Sequence, residues 1–216
     1  MNRSTVFDFQ RALTLTRHCP VYQPTPLLII EAPSGHQLLI KDETSRFRMG
    51  AFKALGGIYA MAAVLLARWR EENQADIEPE QLFTEEIQDW SRQFTFVCAS
   101  AGNHGLAVAT GAKLFNAGCR IHLANTVPAA FENRLLALGV TVVRSGANYE
   151  QSMHAAMADC ANGEILLSDS AWEGYSQIPS LVMEGYTVMA EELRADFQAE
   201  DLWPTCLLYT SPSPRD

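Results

Sequence analysis

Short apolar runs alternate with longer amphipathic segments through the second half of the chain. Compact runs of mostly apolar residues predict strands buried on both faces over residues 94–99, 120–124, 140–144 and 165–168. Apolar residues at helical spacing predict helices between these strands, over residues 104–115, 129–138 and 149–161. Strands that alternate with helices are typical of an α/β protein with an open parallel sheet and helices on both faces.

Gly118, Gly139 and Gly163 follow the three predicted helices. A glycine just beyond the last helical residue often ends the helix, because it adopts left-handed backbone angles without strain. We therefore predict that these glycines close the helices.

The first half of the chain has a different pattern. Apolar runs at residues 26–30 and 37–41 flank a Pro-Ser-Gly turn and predict two strands joined by that turn. Helices are predicted over residues 52–70 and, near the end of the chain, over residues 180–199. Residues 71–89 are acidic and weakly patterned, which indicates a solvated connection without a binding role.

Composition narrows the class of protein. The 216 residues are 48% hydrophobic and 19% charged, which supplies enough apolar mass for a buried core. No apolar run approaches the roughly twenty residues that cross a bilayer, so we expect no membrane partner. The formal net charge of -9 excludes a nucleic-acid partner, because such partners are bound through clustered Lys and Arg.

The cysteines and histidines show no ligand pattern. The five cysteines are scattered and odd in number, which predicts free, mostly buried thiols. The first twenty residues have no apolar segment followed by a small-residue cleavage site, so we expect a cytoplasmic, reducing environment. The five histidines lack the paired spacing of metal ligands, and no metal site is expected.

The first chemically informative segment is Gly50-Ala-Phe-Lys-Ala-Leu-Gly-Gly57, where Lys53 begins a helix after a polar loop. A lysine amine in this position can form a Schiff base with an aldehyde cofactor. Gly50, Gly56 and Gly57 would let the backbone come close to a flat ligand. The alternative is a surface lysine among turn glycines.

The second segment is Ser100-Ala-Gly-Asn-His-Gly105, which directly follows a predicted strand and opens a helix. Such a turn exposes unpaired N–H groups and small hydroxyls that suit an anion such as a substrate carboxylate. Asn103 brings an amide to the same crevice. The glycine spacing fits neither a dinucleotide loop nor a P-loop.

Together these two segments resemble the lysine and asparagine-loop motifs of fold-type-II pyridoxal-phosphate enzymes, the tryptophan synthase β-like family. Within that family, Lys41-Asp-Glu-Thr-Ser-Arg-Phe47, Asn148-Tyr-Glu150 and the block over residues 169–186 are similar to diaminopropionate ammonia-lyases. The similarity spans roughly residues 22–192. It implies that the chain is the front part of a two-domain enzyme.

The resemblance implies roles for three residues toward pyridoxal 5'-phosphate. Lys53 would hold the cofactor through a Schiff base, Phe52 would lie beside its ring, and Asn103 would hydrogen-bond its 3'-oxygen. Lys53, once released, would take the Cα proton of a small amino acid as general base.

The resemblance also implies a substrate site. Ser100, Gly102 and His104 would line the carboxylate site, and Asp169 would bind the distal ammonium of 2,3-diaminopropionate or act as a base. The products would be pyruvate and ammonia. An alternative for Asp169 is a helix cap before Trp172.

Two departures from the family pattern qualify these expectations. Ala101 stands where the ammonia-lyases commonly have an acidic residue that serves the D-isomer, so action on that isomer is left open. The glycine-rich phosphate loop and the residue for the pyridine nitrogen do not occur in this sequence. The expectation is a truncated, inactive fragment.

The expected organisation follows from the resemblance and, for the last residues, from their change of composition. Residues 1–43 would be an N-terminal segment of the large domain, 44–169 the small domain, 170–205 a return segment, and 206–216 a non-native tail rich in Ser and Pro. The intact enzyme would be a homodimer. The alternatives are a threonine or serine dehydratase and a noncatalytic binding protein of the same fold.

Overall fold

The computed structural model describes residues 7–202 and residue 204, so the predicted tail over residues 206–216 lies outside the described residues. The strands are β1 (Leu27–Glu31), β2 (Gln37–Lys41), β3 (Thr95–Cys98), β4 (Gly118–Leu123), β5 (Thr141–Arg144) and β6 (Ile165–Leu166). The α-helices are α1 (Phe9–Arg17), α2 (Lys53–Asn73), α3 (Glu85–Ser91), α4 (Asn103–Phe115), α5 (Ala129–Leu136), α6 (Tyr149–Asp159) and α7 (Gln177–Ala199). Short 3-10 helices cover Glu43–Arg48, Pro79–Phe83 and Cys160–Asn162.

The predicted α/β architecture is confirmed. A parallel sheet of order β5-β4-β3-β6 contains all four strands predicted for the second half of the chain. Along β3, Phe96 and Cys98 belong to the core that α2 and α4 build. The alternate residue Val97 packs with Met153 and Ala156 of α6. Helices therefore cover both faces of the sheet.

Glycines set the distances between three helices. A Cβ on Gly57 of α2 would lie 2.7 Å from the Cβ of Ala107 in α4. A Cβ on Gly185 of α7 would lie 2.9 Å from the Cα of Gly56. The prediction that Gly56 and Gly57 bring the backbone close to a flat ligand is therefore wrong, because both glycines let neighbouring helices pack against α2.

Residues 71–89 are more ordered than their composition predicts. They contain the end of α2, the 3-10 helix Pro79–Phe83 and the start of α3. Leu82 and Ile87 are buried in the main core. The prediction of a solvated connection is thus wrong for residues 79–89. Two well-spaced apolar residues are enough to hold this acidic segment against the main core.

Helix ends depart from the prediction at two places. Asn116, not Gly118, ends α4 in the left-handed conformation, and Gly118 already lies in β4. Gly139 and Gly163 have the expected positive φ of 83° and 102°. α7 begins at Gln177, three residues before the predicted start, since Pro179 fits a first helical turn, where no N–H is needed.

The N-terminal helix α1 was not predicted from the sequence. Asp8 caps it by accepting a hydrogen bond from the backbone N–H of Arg11 at 3.0 Å. Ala12 and Leu15 are the apolar residues that it buries. Its apolar face is too narrow to stand out in a short, polar segment.

The predicted N-terminal hairpin is confirmed. β1 and β2 pair antiparallel, with Leu28 opposite Ile40 and Ile30 opposite Leu38. The turn closes with a 2.8 Å hydrogen bond from the N–H of Ala32 to the carbonyl of His36.

A buried charged cluster connects this hairpin to α7. Arg46 is 1% exposed, and its guanidinium donates to both carboxylate oxygens of Glu192 at 2.7 Å. The same guanidinium donates to both oxygens of Glu43 at 2.8 Å. Lys41 lies 3.1 Å from Glu192. Bidentate pairing of this kind is how a protein satisfies charges taken out of water.

This cluster makes stability depend on pH. Burial by itself raises the pKa of Glu192, but bonds and charge from Arg46, Tyr22 and Lys41 lower it from 4.5 to about 2. The lowered pKa stabilises the fold fully above pH 4.5, and this stabilisation disappears as the pH falls toward 2. We expect a loss of about 3 kcal/mol across that window. Urea unfolding at a series of pH values measures it, and an unchanged free energy of unfolding would contradict the assignment.

Two general expectations can be compared with the described residues. Cys19, Cys119 and Cys160 are free thiols, as predicted, and burial raises the pKa of Cys119 to about 12. Cys206 lies outside the described residues. Over residues 7–202, none of the helices has the length and apolar character needed to cross a membrane.

Candidate active site

Lys53 is the first residue of α2, and a bent segment leads to it. Phe47 and Arg48 have positive φ values of 49° and 58°, which bulky side chains rarely adopt. Arg46, held in the buried cluster, anchors this bend. Gly50 also has a positive φ, of 75°. The loop therefore turns sharply and delivers Lys53 to the carboxyl end of the parallel sheet.

The amine of Lys53 contacts Asp169. Its Nζ lies 2.6 Å from Oδ2 of Asp169, which follows β6. The Lys53 side chain is 32% exposed and the Asp169 side chain 13%. Since α7 begins only at Gln177, Asp169 does not cap a helix before Trp172, and that alternative is wrong.

The loop over residues 100–105 connects β3 to α4. The amide N–H of Gly102 donates to the hydroxyl of Ser100 at 3.3 Å. A Cβ on Gly105 would lie 2.0 Å from the carbonyl oxygen of Ser100, so this tight turn requires glycine there. α4 has Gly102 as its N-cap and no acidic residue in its first turn. Its N-terminal N–H groups and dipole suit an anion at this end of the helix.

His104 lies beneath this loop. Its ring is buried, and Nε2 donates to the carbonyl of Leu167 at 3.0 Å. Because a carbonyl oxygen only accepts, this contact places the proton on Nε2. Nδ1 lies 4.0 Å from Oδ2 of Asp169. His104 thus connects α4 to the strand end that carries Asp169.

The other two residues expected at the cofactor lie at the starts of α4 and α2. Asn103 is half-buried and opens α4. Phe52 precedes Lys53, and its ring contacts that of Tyr186 from α7 edge-on, with centroids 5.0 Å apart. Tyr186 was not identified from the sequence, because only the packing of α7 against α2 brings it here.

The donor set fits an aldehyde cofactor that carries an anionic amino-acid substrate. The Lys53 amine pairs with the Asp169 carboxylate, which lies 4.0 Å from the His104 ring in the first turn of α4. Asn103 brings an amide to the start of the same helix. The sequence identified each of these residues, but not the contact between Lys53 and Asp169. Their positions are 116 residues apart. The available signal was partial, because Asp169 follows a strand of the parallel sheet, whereas Lys53 follows β2 of the separate antiparallel hairpin.

The described residues were also searched for a metal centre. Over residues 7–202, His, Cys, Asp and Glu form no group of three that could hold a metal ion.

Comparison with known proteins points to one family. Residues 19–204 match the family of pyridoxal-phosphate dependent enzymes. The chain is 30% identical over 193 residues to the diaminopropionate ammonia-lyase of Escherichia coli (strain K12), covering 87% of this chain and 47% of that relative. The chain therefore spans about half the length of the curated relatives it matches.

Solved structures show the same similarity. The crystal structure of Escherichia coli diaminopropionate ammonia-lyase in apo form has a TM-score of 0.82 and 28% identity, and the match covers 91% of this chain and 54% of that one. The same enzyme in complex with D-serine has a TM-score of 0.80 and 29% identity, with 91% and 50% covered.

Proposed function

Because the chain belongs to the family of pyridoxal-phosphate dependent enzymes, we propose that its full-length protein eliminates ammonia from 2,3-diaminopropionate, giving pyruvate and ammonia. The observation that carries this proposal is the pairing of Lys53 with Asp169 at 2.6 Å beside the N-terminus of α4. Similarity to diaminopropionate ammonia-lyases over most of this chain supports it.

Three residues of this chain would hold pyridoxal 5'-phosphate. Lys53 offers the amine for a Schiff base, Asn103 an amide donor, and Phe52 an aromatic edge. When bound, the cofactor supplies an electron sink for negative charge at Cα of an amino acid.

The chain's other residues would bind and orient the substrate. The substrate carboxylate would be bound by Ser100, Gly102 and the N-terminus of α4, with His104 beneath them. Asp169 already holds an ammonium group, that of Lys53, so its carboxylate is placed to receive the distal ammonium of the substrate. The released Lys53 amine would then take the proton from Cα.

The hairpin supports the expected division into domains. Leu28, Ile30, Leu38 and Ile40 share one face of β1 and β2 and are 40–52% exposed. Ile29, on the opposite face, is 43% exposed. Strands apolar on both faces are typical of the interior of an α/β sheet. We propose that residues 1–43 join a large domain completed by other parts of the full-length protein, with 44–169 as the small domain and 170–205 as the return segment.

This proposal predicts self-association of the 216-residue chain through the hairpin. Replacing the cross-strand pair Ile30 and Leu38 by threonine should shift the chain toward monomer, as measured by sedimentation velocity. Leu136→Thr is the matched control, since Leu136 is 48% exposed on α5, away from the hairpin. Equal association of both variants, or a monomeric parent chain, would contradict the proposal.

Substrate competition on the full-length protein tests the proposed activity. We expect kcat/KM for 2,3-diaminopropionate to exceed that for threonine or serine at least about tenfold, because Asp169 pairs with an amine and not a hydroxyl. We expect no turnover from the 216-residue chain alone, which is assayed beside the full-length protein as the control. A preference for threonine would establish a dehydratase, and binding without turnover a noncatalytic protein.

The resemblance also supports a cytoplasmic homodimer for the full-length protein. The free thiols of Cys19, Cys119 and Cys160 suit a reducing compartment. Sedimentation of the full-length protein measures the oligomeric state.

A further inference from the structure

A short aromatic turn follows Asp169. Trp172 and Tyr175 exchange two backbone hydrogen bonds, at 3.1 and 3.0 Å, and Gly174 between them has a φ of 84°. Their rings stack with centroids 4.3 Å apart and an interplanar angle of 18°. Both rings pack on the apolar cluster that α6 forms with the sheet. The turn is therefore a compact unit fixed to the sheet face.

The hydroxyl of Tyr175 closes the open edge of the sheet. β6 pairs with β3 on one side and is the last strand of the sheet. On its other side, the Tyr175 hydroxyl accepts from the N–H of Ser168 at 3.0 Å and donates to the carbonyl of Leu166 at 2.8 Å. A neighbouring strand would use these same two groups, so one side chain replaces a strand along this edge.

The segment fixed in this way carries the active-site contacts. Leu167 donates its N–H to the carbonyl of Val97 at 2.8 Å, and its own carbonyl accepts from His104. Residues 166–168 are thus held by β3 on one side and by Tyr175 on the other. Asp169 follows immediately and reaches the Lys53 amine.

From this geometry we propose that Tyr175 is a positioning residue, which acts through the backbone of residues 166–168 to hold the Asp169 carboxylate on the Lys53 amine. The proposal rests on the proposed function in assigning chemistry to that pair. The Tyr175 hydroxyl bonds the backbone of Ser168 and Leu166, so its effect on Asp169 passes through the chain.

Acylation of Lys53 by acetic anhydride in the 216-residue chain tests the proposal, with peptide mass spectrometry as the readout. The chain contains three lysines. Lys113 is exposed, so the rate of its modification serves as the internal reference. Tyr175→Phe keeps the ring and removes both hydroxyl bonds, so we expect Lys53 to react about fivefold faster as Asp169 releases it. Asp169→Asn should accelerate the reaction similarly, and the double variant no further.

Matched variants separate positioning from general loosening. Tyr22→Phe removes a different tyrosine hydroxyl, which donates to Glu192, and should leave Lys53 acylation unchanged. Should Tyr175→Phe fail to fold by circular dichroism, Trp172→Leu decides, because it keeps the hydroxyl, removes the stacked ring and should accelerate acylation more weakly. Unchanged acylation in the folded variant, or full additivity with Asp169→Asn, would overturn the proposal. Acylation does not involve the cofactor, so failure of the proposed function leaves this result intact.

Discussion

Replacing Lys53 by arginine should abolish turnover in the full-length protein, lowering kcat by at least about a thousandfold. Arginine keeps a cation beside Asp169, so the ion pair survives. A guanidinium does not form a Schiff base, and because it stays protonated it does not take the proton from Cα. Steady-state release of pyruvate measures the loss.

The matched control is Lys113→Arg, the same change on the far turn of α4. It should retain the parent rate. Comparable rates for Lys53→Arg and the parent protein would remove Lys53 from the chemistry.

Replacing Glu192 by glutamine should destabilise the fold by about 3 kcal/mol, since it leaves Arg46 buried with half of its carboxylate partners. The denaturant midpoint should fall with the slope of the urea transition unchanged. The acid-dependent loss of stability below pH 4.5 should become smaller in the same variant, because Glu192 carries it.

Glu191→Gln is the neighbouring control on α7. Glu191 pairs with the exposed Arg194, so its loss should cost under about 1 kcal/mol. Equal midpoints for the two variants would show that the buried cluster does not stabilise the chain as its geometry indicates.

The sequence predicted the parallel sheet well because β3, β4 and β6 are mostly buried, whereas the edge strand β5 is exposed or half-buried and was still marked by its Val-rich run. The run over residues 94–99 has apolar residues at nearly every position, and β3 lies at its centre. Residues 79–89 were interpreted as solvated because charge dominates their composition, although Leu82 and Ile87 are buried. The composition of a segment averages over all its residues, whereas its packing against the core depends on a few single positions.

The site was predictable by residue type but not by contact. Lys53, Asn103 and Asp169 each follow a strand in motifs that indicate chemistry. Their mutual geometry depends on the order β3-β6 and on the packing of α2, which no local pattern encodes. Tyr175 shows the same limit, since its hydroxyl acts on a backbone edge that exists only in the folded sheet.

The central claim is that Lys53 holds the cofactor. Borohydride reduction of the full-length protein as isolated, followed by peptide mapping, tests it most directly. The account predicts a reduced pyridoxyl group on the peptide that contains Lys53. A pyridoxyl group on Lys41, on Lys113 or on a lysine outside this chain would contradict it.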